Sequence, residues 1–248
     1  MSLYIIGDLH LSFGENRKEE KPMNIFGNNW DDHSEKIKKD WLEKVKPEDT
    51  VILAGDFSWS TYLEDTYADF SYLNSLPGKK IMLKGNHDYW WTTITSMKKY
   101  LEENKFENID FLHNNSFEIE NKIIVGTRGW ALNDTENANK MINREASRLE
   151  LSIKSAIEQY GNEKEIICIM HYPPISSSCM KNEYLYDSKF LSLMKQYGIK
   201  RCYYGHLHGK AHKDAIEGNI EGIELKLISS DYLNFKLYKI VDKWGKTC

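Results

Sequence analysis

Long apolar runs are missing from this sequence, which excludes the helical membrane-spanning classes. Over 248 residues the mean hydropathy is −0.60, and no stretch approaches the ~20 apolar residues of a spanning helix. The opening Met1-Ser-Leu-Tyr-Ile-Ile-Gly-Asp8 has neither a basic leader nor a cleavable apolar core, so the expectation is a soluble, cytoplasmic protein without a membrane partner. Cysteine is scarce. The four residues Cys168, Cys179, Cys202 and Cys248 show no C-x-x-C spacing, which argues against a disulfide scaffold or a zinc finger. A chain of this size buries a core without either device. Positive charge is not in excess: 33 Lys and Arg against 37 Asp and Glu leave a formal net charge of −4, which offers no general footprint for nucleic acid. Proline-rich linkers, repeats and low-complexity tracts are absent too, and a single domain over residues 1–248 is expected. Histidine is rare, with 8 residues in all, and unevenly placed.

Short β-branched runs alternate with amphipathic stretches, the pattern of an α/β domain. Strands are expected at Leu3 to Gly7, Thr50 to Ala54, Lys80 to Leu83, Glu165 to Met170, Arg201 to Tyr204, Glu224 to Ser229 and Phe235 to Val241. Phe117-Glu-Ile and Lys122 to Gly126 suit a hairpin. Ile37, Trp41, Leu42 and Val45 describe a helix face that Ser34 is placed to cap. Further helices are expected over Tyr62 to Leu73 and from about Thr92 to Leu101. The longest helix carries Ala138, Ile142, Ala146, Leu149, Ile153, Ile157 and Tyr160, with Asp134 or Thr135 as its cap. The polar stretch from Leu11 to His33 reads as a long loop, and beside His10 it would form a lid carrying Arg17, Lys18 and Lys21.

Metal-capable residues sit where these strands end. The first strand runs into Gly7-Asp8-Leu9-His10, the second into Gly55-Asp56, and the third into Gly85-Asn86-His87-Asp88. Two later strands end in His171-Tyr-Pro-Pro and in Gly205-His206-Leu207-His208. Ligands of α/β sheets gather outside the carboxyl ends of strands, so residues distant in sequence would meet along one rim. A single strand-end Asp or His more often caps a turn than binds an ion; five ordered segments of this composition are better explained by cations, because burying them together without one is costly. His33, His113 and His212 lack partners at ligand spacing and read as surface or packing residues.

These segments resemble the calcineurin-like metallophosphoesterase superfamily, whose pattern is D-x-H, G-D, G-N-H-[DE], a later His and G-H-x-H. The resemblance implies a four-layer αββα sandwich of two mixed β-sheets flanked by helices, with a two-metal site at the sheet edge. It places Asp8, His10, Asp56 and His208 on one ion, and Asn86, His171 and His206 on the second, with Asp56 bridging. Nitrogen and oxygen donors without thiolate suit Mn²⁺ or Fe, and Zn²⁺ as well. The implied reaction is hydrolysis of a phosphomonoester or phosphodiester by in-line attack of a hydroxide held between the two ions. His87 would assist the leaving group while Asp88 orients its ring.

Departures narrow the branch. Phe57-Ser58-Trp59 follows Gly55-Asp56, where the Ser/Thr protein phosphatases carry G-D-x-x-D-R-G and the purple acid phosphatases carry a metal-binding Tyr at the position of Trp59. The chain looks more like a stand-alone bacterial-type phosphohydrolase of undefined substrate, and a small phosphorylated molecule is the favoured partner. Arg128, in Gly126-Thr-Arg-Gly-Trp130, is the candidate phosphate clamp, and Trp59 and Trp90 are candidates for the substrate cleft. A nuclease on the same site is the less favoured alternative, and a non-catalytic scaffold the other.

Overall fold

The computed structural model describes residues 1–14, 23–133, 135–182 and 185–241. Two mixed sheets stack face to face. The first contains β1 (Leu3–Ile6), β2 (Thr50–Leu53), β3 (Lys79–Leu83) and β4 (Ile109–Leu112), all parallel, and is closed at the β1 edge by antiparallel β13 (Tyr238–Ile240). The second has the order β11 (Gly218–Ile220), β12 (Ile223–Leu227), β10 (Arg201–Tyr204), β7 (Glu165–Met170), β6 (Lys122–Thr127) and β5 (Phe117–Ile119). Only its two edge pairs are antiparallel. A small hairpin of β8 (Met180–Asn182) and β9 (Leu185–Tyr186) lies outside both.

The period of two along each strand separates the layers. Leu3 and Ile5 of β1, Ile52 of β2 and Ile167 and Ile169 of β7 turn into the seam between the sheets, together with Ile124 and Tyr203. Tyr4, Ile6, Val51 and Leu53 turn the other way. They pack under α1 (His33–Lys44), α2 (Tyr67–Ser75) and α3 (Ile94–Glu103) through Trp41, Phe70 and Met97. Cys168 and Met170 likewise meet α4 (Glu136–Tyr160) and α5 (Lys189–Gln196) through Leu149, Ile153 and Phe190. The four-layer αββα sandwich expected from the resemblance is the observed architecture. No helix among the described residues is long and apolar enough to cross a membrane.

Some local expectations change. Ser34 does not cap α1; Asp32 stands at the N-cap in a left-handed conformation without a side-chain cap bond, and its carbonyl takes the N–H groups of Glu35 and Lys36 instead. Leu42 is 56% exposed, because it lies a further ~100° around the helix from buried Trp41. Thr135 caps α4, while Asp134 falls outside the described residues. The last strand is confined to Tyr238–Ile240, since Asn234 and Phe235 take left-handed backbone angles that break an extended run. The short elements β4, β11 and α5 carried too few periodic residues to be read from the sequence.

The two sheets are stitched at their carboxyl edge. Gly7, just past β1, forms a parallel bridge with Ser229, just past β12: its N–H donates to the Ile228 carbonyl at 2.8 Å, and its carbonyl accepts from Ser230 N–H at 3.1 Å. The turn after β1 is then zipped to the turn after β2, with Asp8 N–H on Gly55 O and His10 N–H on Asp56 O, each at 2.9 Å. Strand ends from both sheets are thereby fixed along one rim.

Lys80 is a buried cation in this frame. It is fully covered, donates to the Leu76 carbonyl and lies 5.9 Å from the Trp41 ring, and burial pushes its amine down to about 7. The unfolded chain holds that proton to about 10.4. Between these limits the unfolded state binds more protons, so folding stability gains as pH rises. Compared with Lys80→Met in urea unfolding, the wild type is expected to improve its relative free energy from pH 7 to pH 10; a difference that stays constant would refute the assignment.

Candidate metal centre

The rim gathers Asp8, His10, Asp56, Asn86, His171, His206 and His208 from five strand ends. Asp8, His10 and His208 form one group and Asp56, His171 and His206 a second; within each, ligand atoms lie within 4.8 Å of one another. His10 Nε2 is 3.2 Å from His208 Nε2 and 3.7 Å from Asp56 Oδ2. His208 Nε2 is 3.4 Å from Asp8 Oδ1. In the second group His171 Nε2 stands 2.7 Å from Asn86 Oδ1 and 3.5 Å from Asp56 Oδ2. Asp56 therefore faces both groups.

Hydrogen bonds outside the centre turn the imidazoles inward. His171 Nδ1 donates to the Ala54 carbonyl at 3.0 Å, which leaves Nε2 as the lone-pair atom facing Asn86 and Asp56. His208 Nδ1 donates to Asp231 at 2.9 Å, and the other Asp231 oxygen accepts Gly209 N–H at 2.9 Å and lies 3.2 Å from His212 Nε2. A carboxylate behind an imidazole in this way fixes the tautomer and raises the basicity of the inward nitrogen. Asp231 was not singled out from the sequence, although it follows β12 by the same strand-end rule that located the other residues. His33 also acts locally: its two ring nitrogens lie 3.1 Å from Trp30 O and 3.0 Å from Leu9 O, which ties α1 to the turn between Asp8 and His10. Neither it nor His113 or His212 joins the two groups.

The backbone carries strain here. Asp8, His10, Asp56 and His206 all have positive φ, at 61°, 46°, 50° and 75°. Left-handed non-glycine residues cost roughly 1–3 kcal/mol each, so the surrounding contacts must hold them. Glycine leaves the needed space: a Cβ on Gly85 would overlap Asp56 Oδ1, and one on Gly205 would overlap Asp8 Oδ2.

Charge is equally concentrated. Asp8 and Asp56 are 0% and 1% exposed, and neither pairs with a Lys or Arg among the described residues. Burial, reinforced by Asp8, pushes Asp56 up to about 8. Burial would raise Asp8 as well, but His208 and then His171 and His10 hold it below the carboxylate range. Burial, then His171, drives His206 down to about 3, and burial drives His10 and His171 down. His208 is the exception: against burial, Asp8 and Asp231 lift it to about 10. The field that favours a proton on His208 favours a metal cation equally. The nitrogen and oxygen donors, the inward-facing lone pairs and the lack of fixed counter-cations fit two metal ions.

His87 is half-buried beside this centre. Its backbone N–H donates to Asp56 Oδ1 at 2.7 Å, and its ring lies 4.4 Å from Trp59 and 5.8 Å from His10. Asp88 has a different role from the one expected. Its fully buried carboxylate accepts the N–H groups of Asp56, Phe57, Ser58 and Gly85 and the Trp90 indole N–H, and the His87 ring is not among these donors. Asp88 clamps the loops after β2 and β3 together. Trp90 is likewise corrected: it is 2% exposed, packed on Phe57 and Phe70, and does not face a cleft. Trp59 stacks on the His10 ring at 4.7 Å. Arg128 stands 3.6 Å from Glu145 and lies over the Trp130 ring, next to the centre through Tyr172, whose ring is 4.1 Å from His206. Of the stretch from Leu11 to His33, Trp30 forms a wall 5.5 Å from the His208 ring; Arg17, Lys18 and Lys21 fall outside the described residues.

A family model described as calcineurin-like phosphoesterase matches residues 1–210 of the chain. No curated protein matches the sequence. Among solved structures, the chain is similar to a phosphopantetheinyl hydrolase from Mycobacterium tuberculosis, with TM-score 0.56 and 13% identity over 100% of this chain and 98% of that one. It is also similar to the protein TT1561 of Thermus thermophilus, with TM-score 0.56 and 13% identity over 96% and 97%. At such identities the likeness is one of fold.

Two substitutions test the centre. Gly85→Ala should displace the Asp56 carboxylate and lower the metal content measured by plasma mass spectrometry in folded protein; full occupancy would count against the assignment. Asp231→Asn should weaken metal retention about 10–100-fold in chelator competition, by loosening His208.

Proposed function

The chain belongs to the calcineurin-like phosphoesterase family, and from that premise we propose that it is a dinuclear-metal-dependent phosphohydrolase of a small phosphorylated ester. The observation that carries this reading is the pair of largely buried groups, Asp8, His10 and half-buried His208 beside Asp56, His171 and half-buried His206, with Asp56 between them. Asn86 completes the second group. Members of the family use a dinuclear metal centre, and Mn²⁺ or Fe suits this donor set, as does Zn²⁺. Such a pair, when bound, supplies an acidified water as nucleophile and neutralises phosphate oxygens.

The chain's own residues do the rest. Asp8 and Asp56 hold positive charge at a rim of a protein whose formal net charge is −4, so phosphate is recognised at the centre and not by the general surface. That same overall charge weighs against the nuclease alternative. Half-buried His87 is placed to give a proton to the leaving oxygen, and its main chain fixes Asp56 from the same turn. Trp59, stacked on His10, keeps water from one flank. The similar Mycobacterium tuberculosis protein, by its name, hydrolyses a phosphopantetheinyl group, which supports a small ester as the substrate here.

Activity should be measured on p-nitrophenyl phosphate, its bis ester and single-stranded DNA after chelation and reloading with Mn²⁺, Fe²⁺ or Zn²⁺. Metal-dependent turnover of either ester is expected; fully metallated protein inert on all three would favour a non-catalytic scaffold. His87→Ala should lower kcat on alkyl phosphates by about 10²–10⁴-fold, with less effect on p-nitrophenyl phosphate and unchanged metal content. Parallel loss of metal and activity would assign His87 to ion binding instead.

A further inference from the structure

The metal centre does not account for all the charge at this rim. Beside it, the ends of β3, β4 and β6 enclose a narrow cleft lined in part by Lys84, His113, Thr127, Arg128, Glu145 and Arg148. Its one acid is Glu145, 1% exposed, which accepts Thr127 Oγ1–H at 2.7 Å and an Arg148 N–H at 2.8 Å and stands 3.6 Å from Arg128. A single carboxylate thus serves two guanidinium groups. Lys84 adds a third cation, half-buried, within reach of the Asp88 and Glu145 charges but also of those of Arg128 and Arg148, and burial with Arg128 pushes its amine below the ordinary value. Arg128 Nε lacks a hydrogen-bond partner among the described residues. His113 registers the surplus: burial first, and then Arg148 with Lys84 and Arg144, push its imidazole below the ordinary value.

Like charges drawn together away from bulk water repel unless an anion joins them. We propose that this cleft is a subsite for a second phosphoryl group, so that the substrate is a small molecule carrying two phosphates, one at the metal centre and one here. The inference rests on the phosphohydrolase reading for the first phosphate only. Lys84 lies two residues before Asn86, so their Cα atoms are no more than roughly 7 Å apart. Tyr172 joins the two places from the other side, with its N–H on the Arg128 carbonyl at 2.9 Å and its ring against His206. The cleft admits only a water-sized group between its side chains. Phosphoryl oxygens would therefore enter edge-on, the approach that the planar fork of arginine matches.

Calorimetric titration of the metal-loaded, full-length protein with inorganic phosphate at low ionic strength tests this. A binding site is expected that weakens at least tenfold in Lys84→Gln and is unchanged in His206→Asn. Lys84→Gln leaves the bonds of Glu145 intact; Arg148→Gln should weaken the same site, and agreement of the two separates lost charge from local misfolding. Absence of any phosphate site that depends on Lys84 would overturn the proposal. Failure of the phosphohydrolase reading would show differently, as loss of turnover and of the His206-dependent site, with the Lys84-dependent site remaining.

Discussion

Two carboxylates and four imidazoles, two of the rings buried and two half-buried, lie within a few ångströms of one another, and nearly every other feature at the rim serves to hold them there. Moving such groups out of water is expensive unless they are paired. Asp8 and Asp56 meet no lysine or arginine among the described residues, and their protonation is driven in opposite directions: burial and the Asp8 charge push Asp56 up, while His208, His171 and His10 hold Asp8 down. Metal cations held between the two groups would resolve this conflict, because they would neutralise both carboxylates and accept the inward nitrogen lone pairs. The centre is therefore pre-organised at a cost to stability that the sandwich core must offset.

The sandwich meets that cost through connectivity. Parallel strands place their carboxyl ends on one edge, so five segments widely separated in sequence need only end in the right residue to converge. The turns that follow are not relaxed. Four proposed ligands sit at positive φ, and the carboxylate of Asp88, filled by five N–H donors, is what keeps two of these turns in register. Asp88 thus acts on the site through the shape of the loops.

Much of this was legible because the ligands are local patterns at the ends of strands with strong periodicity. The layers followed from alternation, whereas the room that Gly85 and Gly205 leave for the Asp56 and Asp8 carboxylates emerged only from the fold. What stayed hidden depends on partners distant in sequence. Trp90 and exposed Tyr89 are adjacent and both aromatic, and only packing sends one inward against Phe70 and the other to solvent. The adjacency of His87 and Asp88 suggested a pair, yet the carboxylate turns toward backbone amides of another loop. Asp231 has neither glycine nor histidine beside it, and only the fold brings it behind His208.

The stitch between Gly7 and Ser229 bears on biosynthesis. Asp8 leaves the ribosome well before Ser230, whose hydroxyl donates to its carbonyl at 2.7 Å across a separation of 222 residues. His208 waits likewise for Asp231. A nascent chain that has released β1 through β10 and the turn after it already displays every proposed ligand, yet it lacks the segment that joins the sheets and orients the last imidazole. Capture of ions in the native geometry would therefore have to await β12, because the ordering of the rim is coupled to its completion.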